Sequence, residues 1–137
     1  MGFMRTRVLL VDDDPVYTMI MRKLLQVHNF HAHCESFNNG LSAVEYLEER
    51  GKGGELALIF LDLNMPILDG WEFLERIENF AFSENVGVIV VSSSVNEKDA
   101  RRAKSSRFVI DFLIKPVLGE HLELLTRKIN ERYGISL

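Results

Sequence analysis

Short apolar runs alternate along the chain with segments of helical periodicity, and this alternation limits the possible folds more than any other feature of the sequence. Most of these runs are predominantly apolar, which is typical of parallel strands that helices cover on both faces. Five of them are candidate strands: residues 7–11, 31–36, 56–61, 86–91 and 108–114. Repeated βα units of this length predict an α/β fold, a doubly wound five-stranded parallel sheet with helices on both faces.

Most of the intervening segments have an apolar stripe at helical spacing. The predicted buried faces are Val16, Met19, Ile20, Leu24 and Val27 in the first helix; Leu41, Val44 and Leu47 in the second; Trp71, Leu74 and Ile77 in the third; and Leu118, Leu122, Leu125, Ile129 and Tyr133 in the last. The fourth segment offers a core only Ala100 and Ala103, and Asn96 with Asp99 resembles its N-terminal cap. We therefore expect the fourth helix to be loosely held.

The composition limits the number of domains, the class of ligand and the cellular location that we expect. The 137 residues, 47% of them hydrophobic, are enough for one domain and too few for two. We expect residues 1–6 to be an N-terminal extension, with Met4 as an alternative start, and residues 7–137 to form one domain. A net charge of −4 argues against direct binding of nucleic acid. Cys34 is the single cysteine and no apolar stretch reaches membrane-spanning length, so we expect a cytoplasmic protein.

Polar and charged side chains follow the candidate strands where each strand ends. Asp12 and Asp13 follow the first strand, Asp62 follows the third, Ser92 the fourth, and Lys115 the fifth. The carboxyl ends of parallel strands meet at one edge of a doubly wound sheet, and ligands bind there. If the strand order is 2-1-3-4-5, the first and third strands are neighbours. Asp62 would then face the two acids on one side and Ser92 on the other.

This set of side chains predicts a metal-assisted phosphoryl site. Carboxylates that lie close together repel one another unless a cation lies between them. Oxygen ligands with room for water suit Mg²⁺. A carboxylate flanked by an ammonium group and a hydroxyl donor can accept a phosphoryl group, whose charge the metal and Lys115 would share. We therefore interpret Asp62, which ends the buried run LIFLD, as the nucleophile.

In these residues the chain resembles the receiver domains of response regulators in two-component signalling, over nearly its whole length. The matching features are the acid pair Asp12 and Asp13, the phosphoacceptor Asp62 followed by LNMPILDG, the hydroxyl residue Ser92, and the pair Lys115 and Pro116. The resemblance implies a flavodoxin-like (CheY-like) fold with the strand order 2-1-3-4-5. It also implies a Mg²⁺ site with Asp13, Asp62 and the backbone carbonyl of Asn64 as direct ligands, while Asp12 helps through a water molecule.

The resemblance further implies how the phosphoryl group is handled. Ser92 and Lys115 would contact its oxygens, and the Lys115–Pro116 peptide bond would be cis. Asn64, Ser93 and Ser94 occupy positions that tune dephosphorylation in the family. Such a domain is not an enzyme with a separate substrate, because it catalyses only its own phosphorylation and its own slow dephosphorylation.

The implied function is that of a switch with two kinds of protein partner. The phosphoryl group would come from a phosphohistidine on a histidine kinase or phosphotransfer protein. Phosphorylation would draw Ser92 inward, Phe112 on the fifth strand would follow, and the surface of helix 4, strand 5 and helix 5 would change for a downstream protein. The chain ends about four residues after the last predicted helix, so we expect a single-domain response regulator. Phe112 replaces a frequent tyrosine, Ser92 a frequent threonine and Asp111 a frequent glycine.

Some of these residues also have simpler interpretations. Asp14 is expected to cap the first helix, with Pro15 in its first turn. His28, His31 and His33 could suggest zinc, although a fourth ligand at suitable spacing is missing. The cations between residues 98 and 107 would ordinarily form a solvated face, and an acidic partner is the alternative to test; they are Lys98, Arg101, Arg102, Lys104 and Arg107.

Two other function classes compete with the switch. A phosphatase of the haloacid dehalogenase type also forms an aspartyl phosphate, but it needs a second acid two residues after the nucleophile, where this chain has Asn64. A pseudo-receiver would bind partners without being phosphorylated. The complete set of pocket residues argues against that class.

Overall fold

The computed structural model describes residues 5–28, 30, 33–50, 54–80, 85–94 and 96–135. Five strands alternate with five helices in this part of the chain. In chain order they are β1 (Thr6–Val11), α1 (Pro15–Val27), β2 (His33–Phe37), α2 (Gly40–Arg50), β3 (Leu56–Asp62), α3 (Gly70–Glu78), β4 (Val86–Ser92), α4 (Glu97–Lys104), β5 (Val109–Ile114) and α5 (Gly119–Tyr133).

The strands form one parallel sheet in the order β2-β1-β3-β4-β5. This arrangement confirms the predicted fold class and strand order. β1 and β3 pair directly, with Val11 opposite Leu61, and β3 pairs with β4, with Asp62 opposite Val91. The ends of these strands therefore lie side by side at one edge, as the fold requires.

The central strands β3 and β4 are buried on both faces, and successive residues of a strand point to opposite sides. All seven residues of the central strand β3 are buried. Leu9, Ile59 and Val88 belong to the core cluster that includes Phe73 of α3. The opposite face packs a second cluster against α1 and α5, with members including Leu10, Phe60, Met21, Leu122 and Leu125. This double burial explains why the central strands show no alternation of polar and apolar residues.

The helix ends follow from local capping. The Asp14 carboxylate accepts hydrogen bonds from the backbone N–H groups of Val16 and Tyr17, at 3.0 and 3.2 Å, as predicted for the start of α1. Asn96 caps α4 in the same way. Asp69 and Glu72 form a reciprocal capping box at the start of α3.

The predicted buried face of α1 is wrong. Val16, Met19, Ile20 and Val27 are between 56% and 74% exposed. The buried residues are instead Met21 and Leu25, and Tyr17 and Leu24 pack partly against the same core. The whole helix is therefore turned by about one residue, or 100°, from the predicted orientation. Its apolar residues cover more than one face, so periodicity alone did not identify the side that meets the sheet.

The other predicted helix faces need smaller corrections. Val44, Leu47, Leu74 and Ile77 are buried, as are Leu122, Leu125 and Ile129. Leu41 and Leu118 are exposed, because Leu41 lies near the start of α2 and Leu118 lies one residue before α5 begins. Ala103 is the one fully buried residue of α4. Residue 31, which was placed in the second strand, lies outside the described residues.

Within the described part of the chain, no helix combines the length and apolar character needed to span a bilayer.

Candidate functional site

Four strand ends bring the predicted site residues to one edge of the sheet. Among the described residues, the buried polar and charged side chains are Asp12, Asp62 and Ser92, and all three lie at this edge. Asp12 follows β1, Asp62 ends β3 and Ser92 ends β4. The backbone N–H of Lys115 donates a 2.8 Å hydrogen bond to the Ser92 carbonyl, which ties the end of β5 to the end of β4. Buried polar groups are costly, so their concentration here marks a functional site.

Three carboxylates at this edge lie close enough to hold one cation. Asp12, Asp13 and Asp62 each offer an oxygen, and the three oxygens lie within 4.8 Å of one another. The set contains only oxygen donors, and the exposed Asp13 leaves the site open to water on one side. Such a donor set fits a hard divalent cation that keeps part of its hydration shell, which is the behaviour of Mg²⁺.

Lys115 lies against the same carboxylates. Its Nζ atom is 2.7 Å from Asp12 Oδ2 and 3.9 Å from Asp62 Oδ2. The same ammonium group lies 4.2 Å from the centroid of the Tyr17 ring, so its charge contacts the aromatic face. The Lys115–Pro116 peptide bond is cis. Lys115 is thus held by one carboxylate and one aromatic ring, close to a second carboxylate.

The electrostatics of Asp62 reflect its burial. Removal from water is the main cause that raises the pKa of the Asp62 carboxyl above its ordinary value, and the negative charges of Asp12 and Asp13 add to the rise. Two interactions oppose it: a 3.2 Å hydrogen bond from the backbone N–H of Asn64 to Asp62 Oδ1, and the charge of Lys115. Any positive charge added at this edge therefore stabilises the ionised form of Asp62.

Ser92 lies at the same edge, but its hydroxyl is engaged with the following loop. Ser92 Oγ accepts a 3.2 Å hydrogen bond from the backbone N–H of Ser94 and lies 3.3 Å from the Ser94 carbonyl oxygen. Ser93 and Ser94 are exposed, and so is Asn64. Phe112 is half-buried on β5 and packs against the core on the α3 side of the sheet. The structure therefore gathers Asp12, Asp13, Asp62 and Lys115 into one cluster, while Phe112 lies apart from it.

The backbone packs closely at the end of β3, where Asp62 lies. A Cβ atom added to Gly70, at the start of α3, would lie 2.7 Å from Leu63 Cα and 2.9 Å from the Asp62 carbonyl oxygen. Only glycine fits at this distance. The start of α3 therefore packs directly against the end of β3.

A groove connects the acid pair with solvent. It has a volume of about 640 Å³ and lies between α1 and the segment that joins β2 to α2. Its lining includes the acids Asp12 and Asp13, and also Thr18, Arg22 and Asn38. The exposed carboxylate of Asp13 is therefore accessible from this side.

The sequence did not reveal Tyr17 as part of the site. Burial, together with the charges of Asp12 and Asp62, raises the pKa of the Tyr17 phenol. Tyr17 lies five residues after Asp12, in the first turn of α1, and this spacing could have predicted its contact with the site. The contact was missed because the wrong face of α1 was predicted to be buried. The histidine interpretation finds no support in the described residues: His33 pairs with Glu35 at 2.6 Å, and the only cluster of possible metal ligands there is the three aspartates. Residue 31 lies outside the described residues.

Comparison with known proteins identifies the family to which this chain belongs. A family model described as response regulator receiver domain matches residues 8–127. The probable methanogenesis regulatory protein FilR2 of Methanothrix harundinacea (strain 6Ac) is 31% identical over 126 residues, covering 90% of this chain and 81% of that protein. The two-component response regulator ORR1 of Oryza sativa subsp. indica is 30% identical, covering 89% of this chain and 54% of that protein. A crystal structure of a two component response regulator from Cytophaga hutchinsonii has a TM-score of 0.84 at 25% identity, covering 96% of this chain and 99% of that one. This chain therefore belongs to the family of response regulator receiver domains.

Proposed function

We propose that this protein is a phosphorylation-controlled switch whose phosphoacceptor is Asp62. The observation that supports this most directly is the position of the buried Asp62 carboxylate, which lies close both to the carboxylates of Asp12 and Asp13 and to the Lys115 ammonium group. The phosphoryl donor is a phosphohistidine on a histidine kinase or a phosphotransfer protein. The protein acts in the cytoplasm, where ATP supplies the kinases, and its output passes to a protein partner without direct contact to nucleic acid.

The chemistry follows from the groups around Asp62. One carboxylate oxygen attacks the phosphorus atom, the bond between phosphorus and the donor histidine nitrogen breaks, and the imidazole leaves with that electron pair. Mg²⁺, when bound, offsets the negative charge that collects on the phosphoryl oxygens. Asp13, Asp62 and the backbone carbonyl of Asn64 would hold it directly, and Asp12 would do so through water.

Lys115 and Ser92 have separate tasks in this proposal. Lys115 exchanges its contact with Asp12 for a phosphoryl oxygen, a short move because its Nζ already lies 3.9 Å from Asp62. Ser92 exchanges its contacts with Ser94 for a hydrogen bond to another phosphoryl oxygen. Asn64, Ser93 and Ser94 are exposed around the pocket and set how easily water reaches the phosphoryl group, and with it the rate of self-dephosphorylation.

The movement of Ser92 provides the switch. Phe112 lies on β5, the strand next to Ser92, and follows the hydroxyl inward to change the surface of α4, β5 and α5. A change from mostly inactive to mostly active requires roughly 5.5 kcal/mol of differential stabilisation, and a newly coordinated charge on the buried Asp62 can supply this. The phosphorylated and unphosphorylated forms then differ in their affinity for the downstream protein.

The exposed apolar side of α1 is a suitable contact surface for a protein that donates the phosphoryl group. Val16, Met19 and Ile20 are each more than half exposed, and they lie in the first turns of the helix that follows the acid pair. An apolar surface of this kind is typical of a protein contact. We place the donor there, because its histidine must approach Asp62 from outside this edge.

The function is tested by incubating the protein with acetyl phosphate and Mg²⁺ and recording intact mass. We expect the wild-type protein to gain the mass of one phosphoryl group, and Asp62→Asn to gain none because the nucleophile is missing. Ser93→Ala serves as the matched control, since it removes a polar group near the pocket but leaves Asp62 in place, and should be labelled. Labelling that persists at this site in Asp62→Asn, or that is insensitive to EDTA, contradicts the proposal.

A further inference from the structure

The helix α4 concentrates positive charge in a chain that is acidic as a whole. Five of the sixteen Lys and Arg residues lie between residues 97 and 107, beside two acids, in a chain with a net charge of −4. The two acids, Glu97 and Asp99, lie in the first turn of α4, where negative charge complements the helix dipole. The remainder of the helix surface is therefore strongly basic.

Several of these cations have no carboxylate partner in the structure. Within the described ranges, no Asp or Glu oxygen lies within 4.0 Å of a side-chain nitrogen of Lys98, Arg101 or Lys104, and all three residues are exposed. Elsewhere, partly buried Arg7 pairs with Glu55 at 2.6 Å. Lys98 lies three residues before Arg101 and four before Arg102, and like charges at this spacing repel one another. Arg101, Arg102 and Lys104 complement the helix dipole in the last turn, and Arg101 and Lys104 remain exposed and available to a ligand.

One of the cations is already ordered by a neighbouring helix. The guanidinium carbon of Arg102 lies 4.1 Å from the centroid of the Trp71 ring on α3. Stacking fixes the plane of the guanidinium group and leaves its N–H donors around the edge of that plane. Trp71, the single tryptophan of the chain, is half-exposed. Tryptophan and arginine are the residue types that most often dominate binding at protein interfaces.

We propose that the basic face of α4, defined as Lys98, Arg101, Arg102 and Lys104 with Trp71 at its border, binds an acidic segment of the downstream protein partner. Charge complementarity identifies the occupant, because carboxylate oxygens can accept hydrogen bonds from the N–H groups of arginine. Nucleic acid fits less well: a helix of eight residues is only about 12 Å long, and the rest of the chain repels phosphate. The inference rests on the proposed function in one respect, namely that phosphorylation at Asp62 alters the affinity of this face.

The experiment measures binding of a fluorescein-labelled peptide of alternating Glu and Ser by fluorescence anisotropy, with the full chain, Mg²⁺ and beryllofluoride. A Gln-Ser peptide of the same length is the uncharged control. We expect the double variant Arg101→Gln/Arg102→Gln to weaken binding of the Glu peptide by at least about tenfold, since it removes two charge-assisted contacts. The charge-matched double variant Lys23→Gln/Arg127→Gln, which changes exposed cations on α1 and α5, should stay within about twofold.

A second readout keeps the test independent of folding defects. Emission from Trp71 should change when the Glu peptide is added to the wild-type protein and should stay constant with the Gln peptide. Equal binding of the two peptides, equal losses in both double variants, or tighter binding of a DNA duplex than of the Glu peptide overturns the inference.

The two proposals fail in different ways. Labelling of Asp62 by acetyl phosphate in a sample that does not bind the Glu peptide refutes the basic face and leaves the proposed function standing. Binding that is lost in Arg101→Gln/Arg102→Gln supports the basic face even in a sample whose Asp62 is not labelled. A difference in affinity with and without beryllofluoride supports the dependence on phosphorylation, and equal affinities refute it.

Discussion

Tyr17 is the residue whose contact with the site depends most directly on the orientation of α1. Its ring lies 4.2 Å from the Lys115 ammonium group, which also contacts Asp12. If Asp62 is phosphorylated as proposed, the ring would keep Lys115 beside the pocket while its contact with Asp12 is exchanged for a phosphoryl oxygen. Tyr17 would then be a positioning residue, because it would act on the phosphoryl group through Lys115.

Substitution of Tyr17 tests this role. Tyr17→Leu should slow labelling of Asp62 by acetyl phosphate by about threefold to tenfold, the equivalent of one partly desolvated cation–π contact. Tyr17→Phe retains the aromatic face and should restore the rate to within about twofold of the wild type. Rate constants from intact mass, together with beryllofluoride affinity, provide the measurement. Equal rates for the Leu and Phe variants would show that the ring does not position Lys115.

Ile67 has a backbone conformation that is unusual for its residue type. Its φ angle is 72°, in the left-handed region, and the Leu68 N–H donates a 2.8 Å hydrogen bond to the Pro66 carbonyl across it. A β-branched residue is strained in this region. Its side chain is 73% exposed, so burial does not offset the strain.

Ile67→Asn should therefore stabilise the fold, because Asn tolerates a positive φ better than a β-branched residue does. We expect a gain of about 1 kcal/mol in the free energy of unfolding, measured by urea denaturation. Ile67→Ala, which keeps a Cβ atom in the same conformation, is the matched control and should gain less. A lower free energy of unfolding for Ile67→Asn than for the wild type would argue against strain at this turn.

At the scale of elements, β5 joins the site to the outer surface. The strand is irregular where it meets β4: Val88 pairs with Val109 and Ile89 with Asp111, so Ile110 is left over as a bulge. Asp111 lies where the resemblance led us to expect glycine, and its carboxylate pairs with Lys128 of α5 at 2.9 Å. This pair connects β5 with α5, next to the half-buried ring of Phe112.

Phe112→Ala should separate phosphorylation from switching. Labelling of Asp62 should remain, because Phe112 does not contact the carboxylate cluster. The beryllofluoride-induced shifts of α4 amide resonances should shrink, because the ring no longer follows Ser92. The matched control Ile114→Ala, on the same strand and 39% exposed, should keep these shifts. Undiminished shifts in Phe112→Ala would exclude the ring as the connection.

The same scale shows where sequence patterns were sufficient and where they were not. The five strands were predicted to within two residues at each described end. For the central strands β3 and β4 the reason is that a strand buried on both faces has no polar residues that would obscure its limits. Helix α1 was assigned the wrong buried side, because Val16, Met19 and Ile20 are apolar although they face solvent. An apolar pattern gives the periodicity of a helix, but the side that is buried depends on the neighbours it meets.

For the molecule as a whole, the buried carboxylate of Asp62 lowers the free energy of unfolding at neutral pH. The folded state raises the pKa of Asp62, chiefly by burial, above its ordinary value of 3.8. The folded protein therefore binds this proton more tightly than the unfolded chain does. By linkage, the free energy of unfolding falls as pH rises from that value through the pKa of the folded state, and the loss persists at neutral pH.

Asp62→Asn should accordingly raise the urea midpoint of unfolding at about pH 7 in EDTA. The gain should disappear near about pH 3, where the wild-type carboxyl is protonated in both states. Glu48→Gln, which removes one exposed charge from α2, is the control and should leave the midpoint nearly unchanged. Added Mg²⁺ should stabilise the wild type by mass action and narrow the difference. A destabilised Asp62→Asn in EDTA would contradict this account.

Local patterns in the chain were enough to predict the edge at which Asp12, Asp62, Ser92 and Lys115 meet, because the carboxyl ends of parallel strands in one sheet share an edge. The strand order came from the resemblance to receiver domains. Three contacts could be established only from the folded structure: Lys115 pairs with Asp12, 103 residues away, Tyr17 contacts the ammonium group, and Arg102 stacks on Trp71. The first contact depends on two distant strand ends packing side by side, and the other two depend on the rotation of each helix about its own axis, which is fixed when the helices pack against the sheet.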